Sequence, residues 1–474
     1  MLHFAITSCL STSFASIFIF IFHNPIHPDF RRTTKMSPHL KSFIYIFIIK
    51  RKKFLLVIIS ISWYSMYSKV LYSVSLTIDD FSLSNIASKE DPTMSETYFG
   101  RGTYEQYDEY MELINTVFRF NNPADQFPAF LPKLYRPDLE PAVNSFIAIE
   151  DGKMIAAVGH FPVDHVVGDE IVKSIGIGNV ACREEVRGQG HMSRLLELSL
   201  QNMIENGIGF AWLSGDKMRY GHFSYEPAAL SHRIVINKRS LNHTVGMDTD
   251  YTALEVQSTD NEYLDFIHEL FNAQPYHTIR DRAELYNILC SWRYRPFIIK
   301  DSDGNLVGYA DENGGSIAEL VFTDTTHVLD GVRALLATRD SISIRLPEHH
   351  HEYIAILENV SAELVISTDK MFTVLDFEGV IRAYLKLKNT YSKLGDGKFT
   401  ALIHGYARDE QLTFEVKDGL VSVSKTDSDP DIELDHYEAM RFFFTPFSAK
   451  RITGPAPARD WFPVPLFTYG ADNV

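Results

Sequence analysis

Residues 172–225 decide the fold of this chain, and they read VKSIGIGNVACREEVRGQGHMSRLLELSLQNMIENGIGFAWLSGDKMRYGHFSY. Residues 172–182 combine β-branched with small side chains, which predicts a buried strand. Apolar residues with a period of 3.6 predict a helix over 192–205, and Gly207 stands just past its end. Residues 208–213 predict a second strand. The stretch is therefore expected to fold as strand, glycine loop, helix and strand.

The loop between the first strand and the helix, VRGQGH at 186–191, has the features of an anion site. Its glycines leave backbone N–H groups uncovered, and the loop leads directly into a helix N-terminus. The helix dipole and the free N–H groups favour a phosphate there, and Arg187 adds a positive charge. An ordinary strand-to-helix turn is the alternative. A dinucleotide fingerprint and a P-loop do not fit, because the third glycine and the Gly-Lys-Ser/Thr element are missing.

A second motif, YGHFSY at 220–225, follows the second strand. The loop RGQG at 187–190 and this segment, in that order, resemble the GCN5-related N-acetyltransferase (GNAT) family. The family patterns are Arg/Gln-x-x-Gly-x-Gly/Ala and Tyr-x-x-Phe-Gly-Phe. Met192 and Ser224 depart from them, since each stands where the family has a smaller residue. A methionine at 192 would narrow the phosphate cradle.

The resemblance implies direct transfer of an acetyl group from acetyl-CoA to a primary amine, with no metal and no covalent enzyme intermediate. The pyrophosphate of acetyl-CoA is expected on the loop and the pantetheine arm along the end of the first strand. The expected cofactor-binding residues are Val180, Ala181, Cys182, Arg187, Gly188, Gln189, Gly190, His191, Met192 and Ser193.

Two groups are candidates for the proton transfers. Tyr220 is the expected acid for the leaving thiolate, as the family's tyrosine is, and a packing tyrosine is the alternative. In survival-type relatives the C-terminal carboxylate of the chain reaches the active site, so Val474 is the expected base or acceptor-binding group. A frayed terminus is the alternative there. Glu184 and Glu185, beside the loop, are interpreted as surface charges.

Charge and cysteine content restrict the partners and the compartment. The 474 residues carry a formal net charge of −16, which argues against nucleic acid, because a basic face would be expected. An acidic chain fits a small cationic amine acceptor. Cys9, Cys182 and Cys290 show no metal or disulfide spacing, which is consistent with a reducing cytoplasm. Cys182 is interpreted as a core residue rather than a nucleophile.

The first 93 residues differ from the rest of the chain. They contain 10 Lys and Arg against 5 Asp and Glu, a net charge of +5, so the remaining 381 residues carry −21. Residues 4–22 form an apolar run marginally long enough to cross a membrane, and a second run at 43–64 is cut by basic residues at 50–53. The absence of glycine before Gly100 and the Ile/Phe/Lys-rich composition favour a start codon assigned too early, with Met94 as the true start. A membrane anchor is the alternative.

Residues 94–240 are expected to form the catalytic GNAT lobe. A helix is predicted at 107–118, followed by a proline-rich loop that would lie near the acceptor entrance. A hairpin of strands at 146–149 and 154–161 and a third strand at 163–167 are predicted to complete the central mixed sheet.

Residues 241–368 repeat this order of elements without the glycine loop, so they resemble a degenerate GNAT lobe that does not bind coenzyme A. The run PEHHH at 347–351 is interpreted as a surface turn rather than a metal site, because consecutive residues point in different directions. Residues 369–474 resemble a sterol-carrier-protein-like domain. Its predicted elements are a helix at 377–391, strands at 400–403, 412–416 and 421–424, and a final helix at 432–444.

The predicted class is α/β (α+β): a mixed-sheet GNAT fold with tandem lobes and a C-terminal sterol-carrier-like α+β domain. Over about residues 98–474 the chain resembles the enhanced-intracellular-survival type of acetyltransferase. It is expected to be a cytoplasmic N-acetyltransferase acting on a polyamine, an aminoglycoside or a lysine-like amine, and a homo-oligomer is left open. The alternatives are a catalytically weak acyl-CoA-binding sensor and, only if residues 1–93 are genuine, a membrane-tethered protein.

Overall fold

The computed structural model describes residues 97–228, 230–368 and 370–474, together with strands between residues 4 and 81. The chain divides into two units, Met1–Met94 and Ser95–Val474. In the first unit, consecutive antiparallel strands form one sheet in chain order. These strands are β1 (Phe4–Thr12), β2 (Ala15–Phe22), β3 (Leu40–Lys50), β4 (Lys53–Met66) and β5 (Lys69–Phe81). Among the described residues, none of the helices is both long and apolar enough to cross a membrane.

The second unit contains the remaining strands and all of the helices described below. Its strands are β6 (Tyr98–Arg101), β7 (Ser145–Glu150), β8 (Lys153–Pro162), β9 (His165–Val167), β10 (Glu170–Val172), β11 (Ser174–Cys182), β12 (Phe210–Leu213), β13 (Glu226–Ala228), β14 (Ser231–Asn237), β15 (Thr252–Glu255), β16 (Tyr276–Thr278), β17 (Arg295–Lys300), β18 (Leu306–Asn313), β19 (Ser316–Phe322), β20 (Ser341–Pro347), β21 (Glu363–Ser367), β22 (Lys370–Val374), β23 (Gly397–His404), β24 (Asp409–Lys417), β25 (Leu420–Lys425) and β26 (Ile432–Asp435). Its helices are α1 (Tyr107–Phe118), α2 (Phe127–Phe130), α3 (His191–Glu205), α4 (Lys217–Tyr220), α5 (Lys238–Thr244), α6 (Asn261–Asn272), α7 (Leu285–Leu289), α8 (Val328–Leu336), α9 (His351–Glu358), α10 (Phe377–Tyr391), α11 (His436–Phe443), α12 (Ala449–Thr453) and α13 (Ala456–Trp461).

The first large sheet has seven strands in the order β13-β22-β12-β11-β8-β7-β6. The strand β11 runs parallel to β12 and antiparallel to β8, so the sheet is mixed. Side chains alternate between its faces: Ile147 packs in the cluster beneath α1, whereas Phe146 and Ala148 pack in the cluster beneath α3. The two helices therefore cover opposite faces of the sheet. The mixed α/β class predicted from the sequence is confirmed.

Helix α3 shows how the central stretch specifies its own structure. Leu195, Leu196 and Met203 fall on one face at helical spacing, and all three are buried against the sheet. Burial of each such side chain contributes about 1.5–3 kcal/mol. Gly190 enters the helix with φ 88° and Gly207 leaves it with φ 64°, conformations that side-chain-bearing residues adopt only at a cost. The strand, helix and strand predicted for this stretch are confirmed.

The second large sheet also has seven strands, in the order β15-β17-β18-β19-β20-β14-β21. It includes β14, which the sequence placed in the first lobe, between β20 and β21. Conversely, β22, placed by the sequence in the third domain, pairs with β12 and β13 in the first sheet. The second sheet thus includes a strand from before the predicted domain boundary at residue 240, and the first sheet includes one from after the boundary at residue 368.

The C-terminal part of the chain contains a four-stranded sheet and a buried tail. The sheet has the order β25-β24-β23-β26, and the turn at Asp418–Gly419 has positive φ at both residues. Helix α10 packs on this sheet with its predicted limits unchanged. The tail after Trp461 is mostly buried, which its apolar composition already indicated.

Three local predictions are wrong. The strand expected at 163–167 in the central sheet is only β9, which pairs with β10 and β16 in a separate sheet. The helix expected at 432–444 begins at His436, because the Asp435 side chain accepts a hydrogen bond from the Glu438 amide and caps it there, after strand β26.

The third wrong prediction concerns the histidines of the PEHHH run, which do not lie in a surface turn. Glu348–His350 form a 3-10 helix, and His349 and His350 are each only 8 % exposed. Their rings pack edge-on against Tyr276 and Tyr353, respectively. Burial against aromatic neighbours distant in sequence has no local signal. Within the described ranges, no group of three metal-ligating side chains is close enough to hold an ion.

Candidate active site

The first sheet opens between its two parallel strands. The ladder of β11 and β12 joins only Ser174–Gly176 to Phe210–Trp212. Beyond Gly176, β11 runs on to Cys182 without β12 beside it. We call this opening the first cleft. Because backbone N–H and C=O groups require partners, such an edge inside a sheet is suited to an extended ligand.

A β-bulge widens the first cleft. The register between β11 and β8 shifts between Gly178 and Ala181, and Asn179 has φ 44°. A bulge bends its strand and re-aims the side chains next to it. As a result Val180 faces the cleft, whereas Ala181 is buried beneath α1 and Cys182 is half-buried on the α3 side. Burial raises the pKa of the Cys182 thiol, which argues against a thiolate nucleophile.

The first cleft contains a cavity of about 560 Å³. It brings Val180, Tyr220 and Val474 together, which lie far apart in the sequence. An aromatic wall closes one side. The lining residues are Phe118, Phe120, Phe127, Phe130, Ile177, Gly178, Asn179, Val180, Trp212, Leu213, Ser214, Gly215, Asp216, Arg219, Tyr220, Trp292, Lys370, Asn473 and Val474.

The predicted anion loop lies at the N-terminus of α3. Gly188 and Gly190 have φ 82° and 88°, and neither has another group within 4 Å of where a Cβ would stand. Glycine is therefore required by backbone conformation and not by crowding. No side chain caps α3, so the first-turn amides of His191, Met192 and Ser193 have no helical partner. Arg187 and Gln189 are exposed beside them.

Contacts of three side chains stabilise the conformation of this loop and of the start of α3. The Arg187 Nε donates to the Cys182 carbonyl oxygen at 3.3 Å, which ties the loop to the strand end. The His191 ring is buried and stacks on Phe99 with a centroid distance of 5.8 Å. Met192 packs against the core beneath α3. The residue that departs from the family pattern thus contributes to the core.

Tyr220 ends α4 with its ring buried at 6 % exposure. The Asp216 side chain accepts from the Met218 amide at 2.8 Å and caps this short helix. A Cβ on Gly215 would lie 2.4 Å from the Tyr220 ring, so only glycine permits this approach. Burial raises the pKa of the Tyr220 hydroxyl. The phenol is therefore protonated at neutral pH and able to donate a proton.

The serine that replaces the family's glycine occupies a position that needs positive φ. Ser224 has φ 53°, a left-handed conformation that favours glycine. Its Oγ lies 2.8 Å from the hydroxyl of Tyr406, which stacks on His436. This hydrogen bond to the C-terminal part of the chain offsets the conformational cost and links that part to the Tyr220 segment.

Val474 lies on the floor of the first cleft. A Cβ on Gly178 would lie 3.1 Å from the carboxyl carbon of Val474, and a Cβ on Gly176 would lie 2.7 Å from its side chain. The two glycines, on the same face of β11, leave the space in which the tail lies. Trp292 Nε1 donates to the Asn473 carbonyl oxygen at 3.0 Å. The described end of the chain is thus packed in place.

A buried charge network anchors the tail one residue earlier. Arg280 donates to Asp472 from Nε and Nη2, both at 2.9 Å, and also contacts Glu319. Thr278 Oγ1 donates to the same aspartate at 2.8 Å. Burial alone would raise the pKa of the Asp472 carboxyl, but the Arg280 charge outweighs burial and lowers it. Asp472 is therefore ionised, and removal of Arg280 would leave buried charge without compensation.

The sequence did not indicate two parts of the site. The aromatic wall could have been suspected from the phenylalanines between 118 and 130, which flank the loop expected near the acceptor entrance. Trp292 and Arg280 come from the region expected to form the second lobe, and no motif marks them. Glu184 and Glu185 are exposed, as expected of surface charges.

Residues 100–228 match the model of a family described as acetyltransferase (GNAT) domain. This match supports an acyltransferase. No curated protein sequence matches the chain.

Solved structures with a similar fold cover about four fifths of this chain. A probable N-acyltransferase from Enterococcus faecalis V583 is 15 % identical with a TM-score of 0.59, covering 78 % of this chain and 97 % of its own. A GCN5-related N-acetyltransferase from Kribbella flavida is 16 % identical with a TM-score of 0.58, covering 79 % and 97 %. Eis1 from Mycobacterium abscessus is 14 % identical with a TM-score of 0.56, covering 79 % and 98 %. At these identities the likeness concerns the fold alone.

Proposed function

We propose that the protein transfers an acetyl group from acetyl-CoA to the primary amine of a small acceptor, without a covalent enzyme intermediate. The main support for this proposal is that Tyr220 and Val474 line the same cavity, at the open end of β11. An acid and a carboxylate thus flank a strand edge suited to an extended thioester arm.

The residues present fit acetyl-CoA. The first-turn amides of α3 and the side chain of Arg187 would hold the pyrophosphate, since a helix N-terminus favours anions. The free edge of β11 from Val180 to Cys182 would pair with the amides of the pantetheine arm. The acetyl thioester supplies the group that is transferred. Met192 does not obstruct this arrangement, because its side chain packs into the core.

The proton transfers follow from the two groups in the cavity. The amine nitrogen attacks the thioester carbonyl carbon, a C–N bond forms and the C–S bond breaks. Tyr220 delivers its hydroxyl proton to the leaving thiolate, and the carboxylate of Val474 accepts a proton from the amine. Each positioned transfer accelerates such a reaction by about 10²–10⁴-fold.

We also propose that the region around the second sheet is a GNAT-like lobe without coenzyme A. The four-stranded sheet and helix α10 would form a sterol-carrier-like domain, without β22, which pairs in the first sheet. What supports this is that the second sheet, like the first, has seven strands with a short parallel pair, and that α10 packs on the separate four-stranded sheet. The second sheet region supplies Trp292 and Arg280, which hold the tail, and the last domain supplies the tail itself.

The test is a thiol-release assay on the full chain with acetyl-CoA and a panel of amines. Coenzyme A binding is measured separately by calorimetry. Tyr220→Phe keeps the buried ring and removes the proton, so kcat should fall by about 10²–10⁴ while coenzyme A affinity stays unchanged. Arg187→Gln should weaken coenzyme A binding instead.

The alternatives give different results. Coenzyme A binding with no thiol release from any amine would favour an acyl-CoA-binding sensor. No coenzyme A binding would contradict the proposal altogether.

A further inference from the structure

One wall of the first cleft consists of aromatic rings. Phe120 lies 5.0 Å from Phe127, and Phe130 lies 4.8 Å from Trp292, measured between ring centroids. Phe118 packs edge-on against Phe127 and remains 42 % exposed. This wall faces the strand ends that carry the proposed reacting groups. It offers flat apolar surface next to the position of the acceptor amine.

The wall is held by strained backbone. Trp292 and Arg293 have φ 60° and 62°, although neither is glycine. Left-handed conformations cost about 1–2 kcal/mol for each such residue. Strain of this kind persists where the surroundings enforce it, and it clusters at functional sites. Here it turns the indole toward the cavity while its Nε1 holds Asn473.

Contacts across the cavity entrance maintain that conformation. The Asn313 side chain donates to the Trp292 carbonyl oxygen at 3.1 Å. Arg293 forms an ion pair with Asp125, and its guanidinium lies 5.5 Å from the centroid of the Phe130 ring. The wall is therefore assembled from two distant segments that contact each other.

Negative charge on the cavity lining is scarce. Among the described lining residues, Asp216 carries the one acidic side chain, and Val474 contributes the proposed carboxylate. Asp216 already caps α4 by accepting from the Met218 amide. Arg219 and Lys370 are basic lining residues. An acceptor with several ammonium groups would thus meet few anionic groups on a lining that also carries two basic side chains.

We infer that the cavity is an acceptor site for a monoamine that carries an aryl group. The ammonium end meets the carboxyl group of Val474, and the aryl group lies against Phe118, Phe130 and Trp292. Burial of one aromatic ring against others is favourable beyond its apolar area. This inference rests on the proposed function and narrows the acceptor class that the sequence left open.

The experiment compares kcat/KM for 2-phenylethylamine, ethylamine and cadaverine on the full chain, by thiol release from acetyl-CoA. Ethylamine lacks the ring, and cadaverine replaces it with a second cation. We expect 2-phenylethylamine to exceed each of the others by at least about tenfold, since a hydrophobic pocket discriminates by this order for even small apolar groups.

Two variants separate the wall from general effects on folding. Phe118→Ala should lower kcat/KM for 2-phenylethylamine about tenfold more than for ethylamine, because only the larger amine reaches that ring. Phe447→Ala removes a phenylalanine that is 63 % exposed outside the cavity lining and should change neither value.

Each remaining outcome is decisive. If cadaverine matches or exceeds 2-phenylethylamine, or if Phe118→Ala affects both monoamines equally, the aryl-amine inference is overturned while acetyl transfer stands. If no amine releases thiol, the proposed function itself fails.

Discussion

The two large sheets open at equivalent positions, yet different groups fill the openings. In the first sheet, β11 and β12 pair over three residues before they separate. In the second, β19 and β20 pair only through Ser316 with Ser343 and Ile317 with Ile344. We call the opening beyond Ile317 the second cleft. The tail lies in it: a Cβ on Gly470 would meet the Ala318 Cβ at 2.6 Å.

The segments that lead from the two clefts into the next helix differ in whether a side chain of the chain caps them. The amides at the start of α3 have no capping side chain. Ahead of α8, the Asp324 carboxylate already accepts from the Thr326 amide at 2.8 Å. A carboxylate of the chain therefore caps the 3-10 turn that leads into α8, whereas no side chain caps the start of α3. The comparison teaches that one backbone arrangement becomes a ligand site or a structural support according to what occupies it.

The largest expected effect comes from emptying the first cleft of its carboxylate. Deleting Asn473 and Val474 should lower kcat by about 10²–10⁴, because the proposed base is lost. Coenzyme A affinity should persist, since the loop of α3 is untouched. The measurement is thiol release beside calorimetric binding. Undiminished turnover in the truncated protein would contradict the role of Val474.

The next effect concerns the anchor in the second cleft. Arg280→Met should destabilise the protein by about 3–5 kcal/mol, because Asp472 and Glu319 stay buried without their partner. Urea denaturation measures the loss. Arg233→Met is the matched control: its ion pair with Glu363 is exposed and should matter by less than about 1 kcal/mol. Equal losses in both variants would contradict a special role for the anchor.

A smaller effect tests whether the tail fills the second cleft. Gly470→Ala should cost about 1–3 kcal/mol by overpacking against Ala318. Adding Ala318→Gly to the same protein should restore most of that loss, because it removes the clashing methyl group. Thermal melting of the single and double variants measures the coupling. Purely additive effects would show that the two residues do not touch in solution.

The smallest expected effect is the contribution of His350 to the pH dependence of folding stability. Burial of the His350 ring lowers its pKa to about 4, and His351 adds to the shift. The unfolded state then binds more protons between pH 6.5 and 4, so stability is full above this range and falls as pH decreases. From pH 6.5 to 5.5 the loss should be about 1 kcal/mol for this residue. His350→Phe should reduce the measured slope by this residue's share, since other buried histidines contribute the rest, and an unchanged slope would contradict the assignment.

Local patterns in the sequence predicted what local interactions determine. The stripe in α10 and the hairpin turn at Asp418–Gly419 are encoded by nearby residues, and both are confirmed. The loop and Tyr220 segment follow recognisable motifs, so the sequence placed them correctly along the chain. Their role in catalysis stays a prediction.

The sequence did not predict which distant strands pair with each other. Strands β14 and β22 each have an apolar pattern that fits either sheet, and only tertiary packing decides which edge they join. The sequence also gives no sign of the backbone strain at Trp292, because tryptophan rarely adopts a positive φ. Buried His349 and His350 resemble surface polar residues until their aromatic neighbours are known.

The exchange of β14 and β22 between the large sheets has a consequence for how the protein is made. The first sheet lacks an interior strand until residue 374 has left the ribosome, although its motifs end at residue 228. Synthesis at about 5–20 residues per second therefore leaves the unfinished sheet exposed for several seconds or more. A fragment cut at residue 240 would have the same defect permanently. Because each large sheet needs a strand from the other region, we expect the two sheets to fold together rather than one after the other.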